Sequence, residues 1–77
     1  MTLPIIAYID GGSRGNPGPA GYGVSIETSA GTIIDEFTGT IGVETNNTAE
    51  YRGLIAALEY LVENQYRDAI IRSDSLL

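Results

Sequence analysis

Three acidic residues in separate segments of the chain are the candidates for chemistry. Asp10 ends an apolar run, Glu50 lies near the start of an amphipathic segment, and Asp74 follows a short β-branched run. The chain has no histidine and no cysteine, which excludes Ser-His-Asp triads, thiol nucleophiles and thiolate zinc sites. Oxygen ligands alone favour Mg²⁺ or Mn²⁺. The residue types therefore predict carboxylate and metal chemistry, provided that the fold brings the three acids together.

Each acid also has an ordinary structural interpretation when it is taken alone. Asp10 precedes a glycine and could form a turn. Glu50 stands three residues after Asn47, as in a helix-capping pair. Asp74 could cap a following helix. Three acids at one place are harder to explain structurally, because like charges raise one another's pKa and destabilise a small domain unless a cation neutralises them.

The elements that must position these acids follow from hydrophobic periodicity. Apolar and β-branched runs predict strands, and a change to the helical period predicts one helix. The predicted elements are β1 (3–10), β2 (21–28), β3 (32–42), α1 (47–64) and β4 (69–75). β1 is continuously apolar, as expected of a central strand covered on both faces. The apolar stripe of α1 comprises Tyr51, Leu54, Ile55, Leu58, Leu61 and Val62.

Connectivity then predicts an α/β fold with a mixed sheet. Three antiparallel strands followed by a helix deliver β4 parallel to β1, and a right-handed crossover gives the order 3-2-1-4. Asp10 and Asp74 then end neighbouring parallel strands. Glu50, in the first helical turn, shares a face with Leu54 and Leu58 and should point toward the sheet. The three carboxylates should therefore converge where open α/β sheets tend to bind ligands.

Size and charge limit the possibilities further. The chain has 77 residues, a net charge of −6, four arginines and no lysine. It is one small domain at most, and its charge argues against a simple basic patch for nucleic acid. The short N-terminal apolar run lacks a basic flank and is predicted to be a strand rather than a signal peptide or membrane span. We therefore expect no membrane association and a cytoplasmic protein.

A glycine-rich segment, YIDGGSRGNPGPAGYG at residues 8–23, follows the first acid. It has neither the lysine of a phosphate-binding Walker loop nor a G-x-G-x-x-G that opens a helix. A tight connection into β2 accounts for Pro17 and Pro19 but not for Gly11, Gly12 and Gly15 together. We interpret these three glycines as bare backbone that lets a bulky polymer approach Asp10 closely.

Three motifs carry a family resemblance. In this order and spacing, YIDGGSRGNPGPAGYG, TNNTAEYRGLIAALEYL and IRSDSLL resemble the N-terminal half of a type 1 ribonuclease H of the bacterial and archaeal kind. The resemblance spans essentially the whole chain. It implies a sheet ordered 3-2-1-4-5 and hydrolysis of the RNA strand of RNA/DNA hybrids, by two divalent ions, to 5′-phosphate and 3′-hydroxyl ends.

The resemblance also implies roles for individual residues. Asp10 would bridge two Mg²⁺ or Mn²⁺ ions, while Glu50 and Asp74 would hold the ion that stabilises the leaving oxygen. Glu50 would also contact a ribose 2′-hydroxyl. Positions matched to hybrid contacts are Gly11, Gly12, Ser13 and Asn16 in the minor groove, Asn46 and Asn47 on both strands, and Thr45 with Asn16 at a DNA-strand phosphate. Outside the resemblance, Arg14 is predicted to contact a phosphate or the groove, the alternative being a solvated loop residue.

One departure from the family concerns length. The family's domain is roughly twice as long, and its fifth strand, later helices and fourth catalytic carboxylate would lie beyond Leu77. We therefore expect the 77 residues alone to be inactive, and to associate through the edge of β4 or require the missing half. The alternatives are a non-catalytic hybrid-binding or assembly piece, and an actin-like or sugar-kinase-like ATPase, whose first strand also leads into an Asp-Gly loop.

Overall fold

The computed structural model describes residues 4–73. It contains a four-stranded mixed sheet with one helix packed across it. The elements are β1 (Ile5–Ser13), β2 (Gly18–Thr28), β3 (Ile33–Glu44), α1 (Asn46–Glu63) and β4 (Ala69–Ser73). The sheet order is β3-β2-β1-β4. β1 pairs antiparallel with β2 and parallel with β4, and β2 pairs antiparallel with β3. The predicted fold class and sheet order are confirmed.

The strands are longer at the glycine-rich segment than the sequence pattern indicates. β1 continues to Ser13 rather than ending at Asp10, and β2 begins at Gly18 rather than at residue 21. The pairing between them extends to Ser13 and Ala20. Most of the glycines expected in a loop therefore lie within the sheet. β3 ends two residues later than predicted, α1 is displaced by one residue, and the last two residues predicted for β4, 74 and 75, lie outside the described residues.

The core lies on one face of the sheet. Alternate residues of β1 and β2 are buried there against α1, and the buried apolar cluster consists of Ile5, Ala7, Ile9, Val24, Ile26, Ala57 and Leu61. On the opposite face Tyr8 is 37% exposed and Ile70 is 49% exposed. The expectation that β1 is covered on both faces is therefore wrong for the described part of the chain, because α1 covers only one face.

α1 contacts the sheet through small residues together with only part of its apolar stripe, Leu54 and Leu61. Its buried residues are Ala49, Glu50, Gly53, Ala57 and Leu61, whereas Tyr51, Ile55, Leu58 and Val62 are 45–77% exposed. The predicted orientation of the stripe holds for Leu54 and Leu61 and is wrong for its other members, because small side chains let the helix backbone approach the sheet. A Cβ atom placed on Gly53 would lie 3.1 Å from Cβ of Tyr22 on β2. Despite the apolar outer face, no helix among residues 4–73 is long and apolar enough to cross a membrane.

Stacked aromatic rings close the C-terminal end of the helix over the sheet. The ring centroid of Tyr60 lies 5.5 Å from that of Phe37 on β3 and 6.3 Å from that of Tyr66. Burial, together with the negative charge of Asp35, raises the pKa of the Tyr60 phenol. A tyrosine phenol is already protonated at neutral pH, and the interaction with Asp35 favours that form further. The ring contact with Phe37 ties the last turn of α1 to β3.

Two leucines of α1 test which helical face is buried. Leu61 is 5% exposed and Leu58 is 45% exposed. We expect Leu61→Ala to lower the free energy of unfolding of the 77-residue chain by about 2–5 kcal/mol, because it leaves a cavity in the core. Leu58→Ala, the matched control, should lower it by less than about 1 kcal/mol. Urea unfolding followed by circular dichroism measures both, at protein concentrations at which sedimentation shows the chain to be monomeric, and a larger loss for Leu58→Ala would contradict this packing.

Candidate active site

The Glu50 carboxylate is held between two strands of the sheet. The backbone N–H of Gly11 on β1 donates to Oε2 at 3.0 Å, and the hydroxyl of Ser73 on β4 donates to Oε1. Glu50 is 2% exposed and is the only buried charged side chain among residues 4–73. Both donors are neutral, so they orient the carboxylate without compensating its charge.

The first turn of α1 directs Glu50 toward the sheet. Thr45 is the N-cap residue, and its hydroxyl accepts a hydrogen bond from the backbone N–H of Thr48 at 3.1 Å. The helix therefore begins before Asn47, and the proposed capping pair of Asn47 with Glu50 is wrong. The Glu50 side chain is left to reach across to β1 and β4.

Gly11 makes this reach possible. A Cβ atom at this position would lie 2.5 Å from the carbonyl oxygen of Ala49 and 2.7 Å from the backbone nitrogen of Glu50. These distances are too short for any side chain, so only glycine lets the first turn of α1 rest directly on the backbone of β1. Gly15 has a φ of +81°, which a turn requires. Helix packing thus explains Gly11, and turn conformation explains Gly15. The sequence had instead suggested that both glycines let a bulky polymer approach Asp10.

The neighbours of the other two predicted acids are the residues that bind Glu50. Asp10 directly precedes Gly11 on β1 and is exposed. Asp74 directly follows Ser73, but it lies outside the described residues. Residues 4–73 include only two of the three acids, and they contain no group of three or more metal-ligating side chains. The assignment of all three acids to one metal site therefore stays a prediction.

Three of the residues matched to hybrid contacts are joined by hydrogen bonds. The backbone N–H of Ser13 donates to Asn46 Oδ1 at 2.8 Å, and the backbone N–H of Asn46 donates to Asn16 Oδ1 at 3.0 Å. The Ser13 hydroxyl lies 2.9 Å from Asn46 Oδ1 and also contacts the Gly15 carbonyl. A backbone N–H can only donate, so the amide atom that faces it in Asn16 and in Asn46 must be the oxygen. The NH₂ group of each asparagine therefore points away from that N–H.

An open groove runs beside this cluster. It is lined by Gly12, Ser13, Arg14, Pro19, Ala20, Gly21 and Thr40. Arg14 is exposed, and its backbone N–H donates to the Pro19 carbonyl at 2.9 Å. Asn47 is exposed in the first turn of α1, whereas the Thr45 hydroxyl caps the helix. The structure thus groups Gly12, Ser13 and Arg14 on one surface, and their contacts with nucleic acid stay predictions.

The sequence analysis missed Ser73 as a residue of this site. Its register partner on β1 is Ile9, and two residues earlier Ile71 pairs with Ala7. The sequence did contain a signal for Ser73: it places a hydroxyl group on the side of β4 that carries apolar residues at the earlier positions.

Adjacent glycines of β1 test the close approach of α1. We expect Gly11→Ala to lower the free energy of unfolding by about 1–3 kcal/mol, because its methyl group would overlap the helix backbone. Gly12→Ala is the matched control, since its Cβ would meet only Asn46 Oδ1 at 3.7 Å, and it should cost about 0.5 kcal/mol or less. Chemical denaturation compares them. Equal stability of the two variants would contradict the backbone contact.

Comparison with known proteins places the chain in a family. The RNase H family model matches residues 3–77. The N-terminal RNase H domain of Rv2228c from Mycobacterium tuberculosis is 47% identical with a TM-score of 0.90, and covers 97% of this chain. RNase H1 from Halobacterium salinarum is 49% identical with a TM-score of 0.87, over 94% of this chain. LC11-RNase H1, solved in complex with an RNA/DNA hybrid, is 48% identical with a TM-score of 0.85, over 92%.

The chain is shorter than these relatives. It covers 58%, 55% and 54% of the three solved chains, in the same order. Of the curated relatives, it spans 21% of the bifunctional protein Rv2228c and 37% of the ribonuclease HI of Halobacterium salinarum. The matched region nevertheless contains all three motifs that carry the resemblance. The chain belongs to the ribonuclease H family.

Proposed function

We propose that this chain forms part of a ribonuclease H that hydrolyses the RNA strand of RNA/DNA hybrids to 5′-phosphate and 3′-hydroxyl ends. One observation carries the proposal: the buried Glu50 carboxylate is bound by the residues adjacent to Asp10 and Asp74. A relative that is 48% identical was solved with an RNA/DNA hybrid, which supports this substrate. Family membership argues against the ATPase alternative.

The donor set suits divalent ions. Asp10, Glu50 and Asp74 would hold two Mg²⁺ or Mn²⁺ ions together with a carboxylate from outside this chain. When bound, the ions would neutralise the acids, activate the attacking water and stabilise the leaving oxygen. An ionised carboxylate has about four lone-pair sites, and the two donors to Glu50 occupy one on each oxygen. Glu50 therefore retains acceptor capacity for an ion or for a ribose 2′-hydroxyl.

Hybrid recognition would rely on neutral donors rather than on a basic surface. The amide oxygens of Asn16 and Asn46 accept backbone N–H groups, so their NH₂ groups are the ends that can face a ligand. The minor groove of a duplex presents base acceptors that such donors can bind, and the 2′-hydroxyls displayed there can accept as well. Asparagine donors beside an open groove can therefore bind a hybrid despite a net charge of −6.

Loss of one metal-binding acid tests catalysis directly. In the complete protein we expect Asp10→Asn to abolish hybrid cleavage, because the site loses a charged ligand, while the melting temperature stays the same or rises as repulsion falls. Asp68→Asn is the matched control: Asp68 is exposed and precedes β4 at its other end. Cleavage of a labelled hybrid in Mg²⁺ measures both. Near-normal turnover by Asp10→Asn would refute the metal-site assignment.

The non-catalytic alternative applies to the 77 residues on their own. The described structure exposes Ile70 on β4 and four large apolar residues of α1, of which Val62 is 77% exposed. Ile71 is partly buried against the core, and Leu76 and Leu77 lie outside the described residues. Exposed apolar surfaces of this kind, beside an open strand edge, favour association.

We therefore expect this chain alone to self-associate and to leave hybrids uncut. Sedimentation velocity at micromolar concentration tests association, and a hybrid-cleavage assay in Mg²⁺ tests activity. Adding the remainder of a complete ribonuclease H domain should restore a discrete complex and cleavage, because it supplies the further carboxylate. A strictly monomeric, well-folded species that cuts hybrids would contradict both expectations and would mean that the three acids suffice.

A further inference from the structure

We propose that Ser73 is a positioning residue that holds the Glu50 carboxylate in the orientation needed to bind a divalent ion. This inference rests on the proposed function. The Ser73 hydroxyl donates to Oε1 of Glu50 from β4, and the Gly11 N–H donates to Oε2 from β1. Donors on both oxygens, on two different strands, fix the rotation of the carboxylate about its Cγ–Cδ bond.

The pattern of β4 supports a role other than packing. Ala69, Ile71 and Ser73 alternate along the strand and pair with Ile5, Ala7 and Ile9 of β1, all three of which are buried. The two earlier positions of β4 are apolar and partly buried against the core. At the third position the strand carries a hydroxyl group instead, at the level where Glu50 reaches the sheet.

Burial makes the orientation of Glu50 matter. The residue is 2% exposed, so water cannot readily replace a lost donor. Without the Ser73 hydroxyl, Oε1 would lose a hydrogen bond, and the carboxylate could turn about the remaining contact with Gly11. An ion would then bind a carboxylate that must first be reoriented. Removal of hydrogen bonds that orient metal ligands typically weakens metal affinity by about 10–100-fold.

Ser73 itself is exposed, so its replacement by alanine should leave no cavity in the core. A purely structural role would predict a loss of stability with no change in metal affinity, because Oε1 of the buried Glu50 loses a donor. A positioning role predicts in addition a specific loss of metal affinity. Ser73→Thr keeps the hydroxyl and suits a β-strand. These two variants separate the hydroxyl from the rest of the side chain.

The test is a calorimetric titration of Mn²⁺ into the complete protein without nucleic acid. We expect Ser73→Ala to raise the Kd for Mn²⁺ by about 10-fold or more, and Ser73→Thr to bind Mn²⁺ as the unsubstituted protein does. Ser25→Ala is the matched control, since it removes a hydroxyl that donates to Glu27 Oε2 at 3.1 Å on β2, and it should leave the Kd unchanged. In cleavage assays the Mg²⁺ concentration for half-maximal rate should rise for Ser73→Ala, while KM for the hybrid at saturating Mg²⁺ stays unchanged.

The outcomes distinguish this inference from the proposed function. An unchanged Kd for Ser73→Ala, in a protein that binds Mn²⁺ and cuts hybrids, would overturn the role of Ser73 and leave the proposed function standing. If Ser73→Ala and Ser73→Thr both raised the Kd for Mn²⁺, the inference would also be overturned, because loss of the hydroxyl would not be the cause. Absence of Mn²⁺ binding by the unsubstituted protein would overturn both. Should Ser73→Ala fail to fold, Ser73→Cys, with a weaker donor, should give a Kd above that of the unsubstituted protein, and an unchanged Kd would overturn the inference.

Discussion

The contact of the first turn of α1 with the backbone of β1 is the constraint on which the rest of the structure depends. At Gly11 there is no room for a Cβ atom, since it would lie 2.5 Å from the Ala49 carbonyl oxygen. This close approach sets the height of the helix above the sheet. It also brings Glu50 within reach of donors on two strands. A bulkier residue at position 11 would push the helix outward and remove both effects together.

The same requirement explains which face of α1 is buried. Ala49, Gly53, Ala57 and Leu61 are spaced four residues apart and form one ridge, which is the row of the helix that contacts the sheet. Three of these four side chains are small, and the resulting contact is between backbones as much as between side chains. The larger apolar residues of α1, Tyr51, Ile55, Leu58 and Val62, would hold the helix too far from β1 for Glu50 to reach it.

Strand order and connectivity were predicted from the sequence more accurately than the packing of α1 against the sheet. Strand order and crossover follow from connectivity and handedness, and the structure confirms them. Most of the predicted apolar stripe of α1 is exposed, because periodicity ranks residues by hydrophobicity while the contact selects for size; only Leu54 and Leu61 of the stripe pack against the core. The helix start was misplaced because Thr45 and Asn47 are both good capping residues, and only the hydrogen bond from Thr48 to Thr45 distinguishes them. The contacts of Gly11 and Ser73 with Glu50 were missed because Glu50 is 39 and 23 residues away in sequence.

Burial of Glu50 has a consequence for stability as well as for the proposed chemistry. A buried carboxylate whose donors are neutral lowers the stability of a small domain, because hydrogen bonds only partly replace the hydration that it loses. A ligand that binds the folded state alone raises its stability in proportion to the logarithm of one plus its concentration over Kd. On the proposed function, a divalent ion would therefore offset the cost of the acid that binds it. An apolar residue would pack in this small core at less cost than Glu50. Binding of a divalent ion then explains why the core contains an acid at this position.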